Sequence, residues 1–285
     1  MSSLHDRRAS DETRTDETRT LGRLRYLASR DQHPVIIQPP PGSGGVRRRT
    51  ARYADHVLPV SDLRPLAGEL SLDKDAVVLR QQPTGLADLY DDAAVSEAYY
   101  AETEAQIKAE TGASRVLVFD HTRRLELPRG GGALPEREAV RSVHNDYTEI
   151  SGPQRVRDLL GEEAERLLSG RFAIINTWRP ITGPVQRAPL GFLHPASLQP
   201  GDLVTTELRY EDRSGEIYEI AHSPEHRWLY VPQMQRDELL IFKCFDSAQD
   251  GRARFLPHSA FDDLATPDGA PARESIETRS LVFFG

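Results

Sequence analysis

The chain has 285 residues, 38% hydrophobic and 28% charged, with a net charge of −8. That length supports one large domain or two small ones, and the acidic balance weighs against non-specific nucleic-acid binding. No stretch approaches the ~18 consecutive apolar residues of a membrane span. The lone cysteine, Cys244, excludes intramolecular disulfides and thiolate metal clusters and suits a reducing cytoplasm. Residues 1 to 20 repeat Asp-Glu-Thr-Arg-Thr, contain almost nothing apolar and lack a secretory signal's apolar segment; they read as a disordered tail. Leu21 to Ser29 reads as a short helix, and the Pro/Gly run Gln38 to Gly45 as a linker. The basic cluster Arg47-Arg48-Arg49 reads as a solvated loop. Residues 1–52 are thus expected as tail and linker, with the compact region starting near Tyr53.

His56 to Val60 and Ala76 to Leu79 read as strands, with a turn from Asp62 to Pro65 between them. Asp91 to Thr111 has helical periodicity and Gly112 as its stop. Arg115 to Phe119 is a strand and Arg129 to Gly132 a flexible loop. Gly152-Pro153 reads as a break, followed by an amphipathic helix from Gln154 to Leu168. Arg171 to Arg179 is a strand on which Ile174, Asn176 and Trp178 share one face and Arg179 takes the other. Strands follow at Leu203 to Arg209, Glu216 to Ala221, Trp228 to Pro232, Glu238 to Phe245 and Glu274 to Phe284. The fold class is therefore α+β, mainly β, with residues 53–140 as an α/β cap and 141–285 as a β-barrel core in one domain. There is no P-loop and no Gly-x-Gly-x-x-Gly.

The chemistry centres on Val143-His144-Asn145-Asp146-Tyr147. On a strand, the spacing of His144 and Asp146 puts an imidazole and a carboxylate on one face. They make two parts of a 2-His-1-carboxylate site for ferrous iron. A lone His-x-Asp is a common tripeptide, so a second histidine must come from elsewhere. Of nine histidines, His258 and His226 compete. An oxygenase of this kind also needs a cation for the far carboxylate of 2-oxoglutarate, and arginine's bidentate fork suits it. His258 is followed by Arg273-Glu274-Ser275, whereas His226 has only Arg236 in an apparent turn. The sequence favours His258.

Several blocks together resemble one family: Gly112 to Val116, Phe119 to Arg123, Val143 to Thr148, Ile175 to Pro180, Ala188 to Leu190, His226 to Tyr230, Asp237 to Ser247, Pro257 to Phe261 and Arg273 to Arg279. The chain resembles the hydroxylase/desaturase enzymes of secondary metabolism that include the small component of the cephalosporin 7-alpha-methoxylase and fungal gibberellin desaturases. The resemblance covers roughly residues 53 to 285, with the blocks in the family's order.

It implies an Fe(II)- and 2-oxoglutarate-dependent oxygenase on a double-stranded β-helix, a jelly-roll or cupin-like barrel. His144, Asp146 and His258 would bind the metal, and Arg273 and Ser275 the co-substrate carboxylate. Asn176, Trp178 and Arg179 form the family's Asn-x-Trp-Arg block, with Asn176 and Trp178 as pocket lining. Arg179 would anchor either a substrate anion or the co-substrate. Tyr147 would hydrogen bond the substrate or pack. Leu229 stands where aromatic residues are common and would reshape a pocket wall. The expected reaction uses dioxygen to hydroxylate or desaturate an unactivated carbon of a natural-product intermediate. Two rival readings are a cupin-like metal enzyme without 2-oxoglutarate and a non-catalytic partner subunit. The cephalosporin relative works with a second protein, which keeps a partner enzyme or a homo-oligomer open.

Overall fold

The computed structural model describes residues 19–40, 43, 45–126 and 139–285. The tail through residue 18 and the Arg129 to Gly132 loop lie outside the described residues. The strands are β1 (Arg19–Leu27), β2 (Val35–Ile37), β3 (Arg48–Arg49), β4 (Tyr53–Asp62), β5 (Val77–Gln81), β6 (Arg115–Glu126), β7 (His144–Asn145) and β8 (Phe172–Pro180). They continue as β9 (Leu190–Leu193), β10 (Leu203–Arg209), β11 (Ser214–Ile220), β12 (Trp228–Tyr230), β13 (Glu238–Asp246), β14 (His258–Ala260), β15 (Asp262–Asp263) and β16 (Arg273–Phe283). They form a sheet in the order β15-β1-β4-β12-β9-β14-β7-β11-β10-β2-β3 and another in the order β5-β13-β8-β16-β6.

The two sheets make the expected double-stranded β-helix. Phe192 of the larger sheet meets Phe242 of the smaller edge to face at 5.1 Å, within one apolar core. Strands β8 and β13 are buried along their whole length. Their near-continuous apolar runs reflect cover on both faces.

Helix α1 (Tyr100–Thr111) continues from helical turns that start at Asp92. The Asp91 carboxylate caps that start by accepting from Ala93 N and Ala94 N. Gly112, at φ 68°, ends the helix in the left-handed region that a side chain would disfavour. The expected helix from Gln154 is two: α2 (Ser151–Leu160) and α3 (Ala164–Leu168), parted at Gly161. Gly152-Pro153 does not break the chain; it lies in the first turn of α2. Proline lacks only an N–H that is unpaired there anyway, and the missing Cβ of Gly152 lets α2 sit against Phe245.

The N-terminal expectation is corrected. Leu21 to Ser29 is not a helix, because Arg23 and Arg25 are exposed while Leu24 and Tyr26 are buried, an alternation of period two. The chain therefore enters the sheet at Arg19, and β1 pairs with β4 over its full length. Among the described residues of 53–140, β4 joins the larger sheet, while β5 and β6 edge the smaller, so these strands are part of the two sheets rather than of a cap on them. Among the described residues no helix is long and apolar enough to cross a membrane.

Tyr26 anchors a polar cluster away from the His-x-Asp stretch. Its hydroxyl accepts from Trp228 Nε1 at 2.7 Å and lies 3.1 Å from His226 Nδ1, while His226 Nε2 lies 3.1 Å from buried Asp202. The His56 and His222 rings stack at 3.8 Å beside it, and Arg30 pairs with Asp202. Burial lowers the pKa of His222 and of His226; for His222 the neighbouring histidines add to the effect, while Asp202 opposes it for both. An unfolded histidine takes up its proton near pH ~6.5. Below that, the unfolded chain binds more protons than the folded one, so stability falls with pH. Thermal unfolding should show a midpoint that is level from pH 8 to about 6.5 and then declines. His222→Gln should flatten that decline; an unchanged slope would exclude His222 as its source.

Candidate metal centre

The second histidine reaches the His-x-Asp stretch by strand pairing. His144 opens β7, His258 opens β14, and the two are direct cross-strand partners. Their ring centroids are 4.6 Å apart. Asp146 follows β7 in a bend, so the strand alternation ends at Asn145 and the bend turns the carboxylate inward. Asp146 Oδ1 lies 3.5 Å from His144 Nε2 and 4.0 Å from His258 Nε2. One ligand atom from each of the three lies within 4.8 Å of the others.

Each histidine is oriented from behind. His144 Nδ1 lies 2.8 Å from Ser142 O and His258 Nδ1 lies 3.0 Å from Leu256 O. Each ring therefore donates from Nδ1 and turns its Nε2 toward Asp146. Burial, with His144 beside it, keeps the His258 imidazole below its ordinary pKa, in the neutral form a metal needs. Burial opposes ionisation of Asp146, but His144, His258 and Arg279 hold its carboxyl well below the usual range.

Asn145, between His144 and Asp146, pins the stretch to the rest of the barrel. Its amide donates to Tyr147 O at 2.7 Å and Cys244 O at 2.8 Å, and its oxygen accepts from Leu256 N at 3.1 Å. A buried polar side chain with bonds to three segments was a signal the tripeptide alone did not carry.

Two cavities meet at the triad and share Arg124, Val140, His144, Asp146 and Arg279. The smaller, about 30 Å³, runs inward to Trp178, His258 and Arg273. Arg273 is buried, donates to Ala188 O at 2.5 Å and places its guanidinium 5.7 Å from the Trp178 ring centre. Ser275 shares that strand face by alternation, and its buried Oγ has no hydrogen-bond partner among the described residues. The larger cavity, about 740 Å³, opens outward past Tyr147, Ile36, Ile217, Arg47 and Arg155. Two imidazoles, one carboxylate and, beside a buried arginine, a serine hydroxyl with no partner among the described residues fit ferrous iron and a dicarboxylate keto acid.

Other expected positions move. Arg179 is not at the triad: its guanidinium lies 5.3 Å from the Tyr99 ring centre and it lines neither cavity. The strand alternation carries it to the helix side, opposite Trp178. Asn176 lines neither cavity. Its amide donates to Asp146 Oδ2 at 2.9 Å. Trp178 faces the small cavity rather than the large one, and Tyr147 the large one. His226 sits in the Tyr26 cluster, and Arg236 donates to the carbonyls of Leu86, Ala87 and Ile181. Leu229 is core. Arg47 and Arg49, expected in a solvated loop, line the large cavity, with Arg49 paired to Glu219 at 2.7 Å. Arg279 and Arg124 had no role in the sequence reading, although alternation along Arg273-x-Ser275-x-Glu277-x-Arg279 puts Arg279 on the face of Arg273.

A double-stranded β-helix with this buried triad defines the non-haem iron oxygenase class. A family model described as an oxidoreductase/YMDC permease-like domain matches residues 24–283. The hydroxylase/desaturase efuI of Hormonema carpetanum is 35% identical over 263 residues, covering 85% of this chain and 88% of that protein. The Fe(II)/2-oxoglutarate-dependent dioxygenase nvfI of Aspergillus novofumigatus is 36% identical over 198 residues, covering 68% and 69%. The solved structure of the iron and alpha-ketoglutarate-dependent endoperoxidase NvfI superposes with a TM-score of 0.81 at 26% identity, covering 95% of this chain and all of that one. The chain belongs to this oxidoreductase family of hydroxylase/desaturase dioxygenases.

Proposed function

We propose that the protein is an Fe(II)- and 2-oxoglutarate-dependent oxygenase that hydroxylates or desaturates an unactivated carbon of a natural-product intermediate. The observation that carries the proposal is the convergence of His144 Nε2, His258 Nε2 and Asp146 Oδ1 where a small inner cavity meets a large outer one. His144, Asp146 and His258 hold the iron. When bound, iron and 2-oxoglutarate supply the oxidising chemistry toward dioxygen. Arg273 grips the far carboxylate of 2-oxoglutarate and Ser275 gives it a further hydrogen bond. Trp178 packs on the Arg273 guanidinium and keeps water from that end of the cavity.

The outer cavity takes the substrate. Its volume suits a small or mid-sized molecule, but its walls are mostly polar and charged rather than apolar, with Ile36, Ile150 and Ile217 as apolar patches and Tyr147 among the polar anchors. Hydroxylation and desaturation start from the same abstraction of hydrogen, so the pose against these walls decides between them. The reduced, buried Cys244 supports action in the cytoplasm.

The test is anaerobic addition of Fe(II) and 2-oxoglutarate to the protein. The expected result is a weak visible charge-transfer band that needs both additions. A protein that takes up iron but shows no band with 2-oxoglutarate would favour the cupin-like reading. One that takes up no iron would favour a non-catalytic partner.

A further inference from the structure

The two oxygens of Asp146 have different surroundings. Oδ1 faces the histidines. Oδ2 points away from them and meets donors from three strands. Asn176 of β8, fully buried, donates its Nδ2–H at 2.9 Å. Arg279 Nε of β16 lies 3.6 Å away and the Cys244 thiol of β13 3.8 Å away. The Asn176 amide is set by chemistry as well as by position, because its other orientation would press oxygen against carboxylate. Burial and the nearby Asp146 push the Cys244 thiol up, so it stays protonated and can donate.

These donors are fixed in place. Arg279 donates to Asp120 Oδ1 and Thr122 Oγ1 at 3.0 Å and to buried Glu277 Oε1 at 2.5 Å, so it cannot swing away from Asp146 without leaving the Glu277 carboxylate uncompensated. Two irregularities in strand pairing border the site. One extra residue, Cys244, interrupts the β13–β8 register, and another, Phe119, interrupts the β6–β16 register beside Arg279. Such bulges re-aim side chains locally.

We infer that Asn176 and Arg279 are positioning residues that restrict Asp146 to coordination through Oδ1 alone, and so keep one metal position open for a reactant. The inference rests on the iron and 2-oxoglutarate reading above. An octahedral ion with two histidines and one carboxylate oxygen has three positions left. 2-Oxoglutarate fills two, and the third serves dioxygen. If Oδ2 also bound the metal, that third position would be lost. For Oδ2 to turn inward it must abandon the Asn176 N–H, leaving a buried donor unsatisfied. The Asn-x-Trp-Arg block thereby acquires a division of labour: Asn176 holds the carboxylate, Trp178 packs on the co-substrate arginine, and Arg179 serves the helix side.

The test uses Co(II), which accepts the same ligands without turnover, followed by 2-oxoglutarate titrated into the Co(II)-saturated protein, both by calorimetry. Wild type should bind both. Asn176→Leu keeps the volume and removes the donor. Its Co(II) dissociation constant should rise about 10- to 100-fold, as for other residues that orient ligands. With cobalt saturating, its 2-oxoglutarate dissociation constant should rise about tenfold, because Oδ2 takes one of the three open positions and the chelate must then use the two that are left, out of line with Arg273. Arg279→Lys, which keeps the charge but loses the Nε contact, should move both constants the same way and serves if Asn176→Leu does not fold. Both constants unchanged in folded variants would overturn the inference. Weakened cobalt binding with 2-oxoglutarate affinity intact would overturn the one-oxygen assignment. Failure of wild type to bind cobalt and 2-oxoglutarate would instead strike the proposed function.

Discussion

His258→Ala protein should lose the Fe(II)–2-oxoglutarate band and at least a hundredfold of its metal affinity. Substitution of residues that merely orient a ligand already costs about 10- to 100-fold, and His258 Nε2 is one of three converging ligand atoms. The folded state should survive, since the ring's one hydrogen bond among the described residues is to Leu256 O. His226→Ala should do the reverse. It strips Asp202, fully buried, of one of its partners and removes a bond to Tyr26. A cost of about 2–4 kcal/mol in stability is expected, with the band retained. Denaturant unfolding and anaerobic spectra on both variants decide the matter. A band that persists in His258→Ala and vanishes in folded His226→Ala would reverse the ligand assignment.

Arg273→Ala should raise the 2-oxoglutarate dissociation constant roughly a hundredfold while leaving Co(II) affinity near wild type. Removing one partner of a desolvated, hydrogen-bonded charge pair costs about 3 kcal/mol, which is that factor. Arg273 is buried at the inner end of the small cavity, fixed by Ala188 O and Trp178. Ser275→Ala should cost less, about 1 kcal/mol, because it removes a single hydroxyl bond. Arg179→Met should leave 2-oxoglutarate binding unchanged, because its guanidinium lies against Tyr99 and outside both cavities. Calorimetry on cobalt-loaded protein reads all three. Equal effects in Arg273→Ala and Arg179→Met would remove Arg273 from the co-substrate site.

The strands of the second half were legible because they alternate or run apolar between turn residues. Leu203 to Arg209 coincides with β10. β1 reads as a helix locally because Leu21, Leu24 and Leu27 recur at helical spacing, which masks the alternation of Arg23 and Arg25 with Leu24 and Tyr26. That spacing also masks how the N-terminal segment completes the site. β2 adds to β10 in parallel, β3 adds to β2, and together they bring Ile36, Arg47 and Arg49 to the outer cavity. A pairing of this range leaves no local trace in so short a strand.

The sequence by itself supplied the candidate ligand residues, the spacing of His144 and Asp146, the late Arg273-x-Ser275 and, through the ordered blocks, the family. These depend on residue chemistry and short spacings, which a linear text preserves. Only the tertiary structure decided what each buried side chain faces. It set His258 opposite His144 across a strand pair, turned Asn176 onto Asp146 rather than into a pocket, sent Arg179 to the helix side and recruited Arg279. Those outcomes follow from strand register, two bulges and a bend after Asn145. Each changes direction by a single residue, and a one-residue change reverses the face on which a side chain lies.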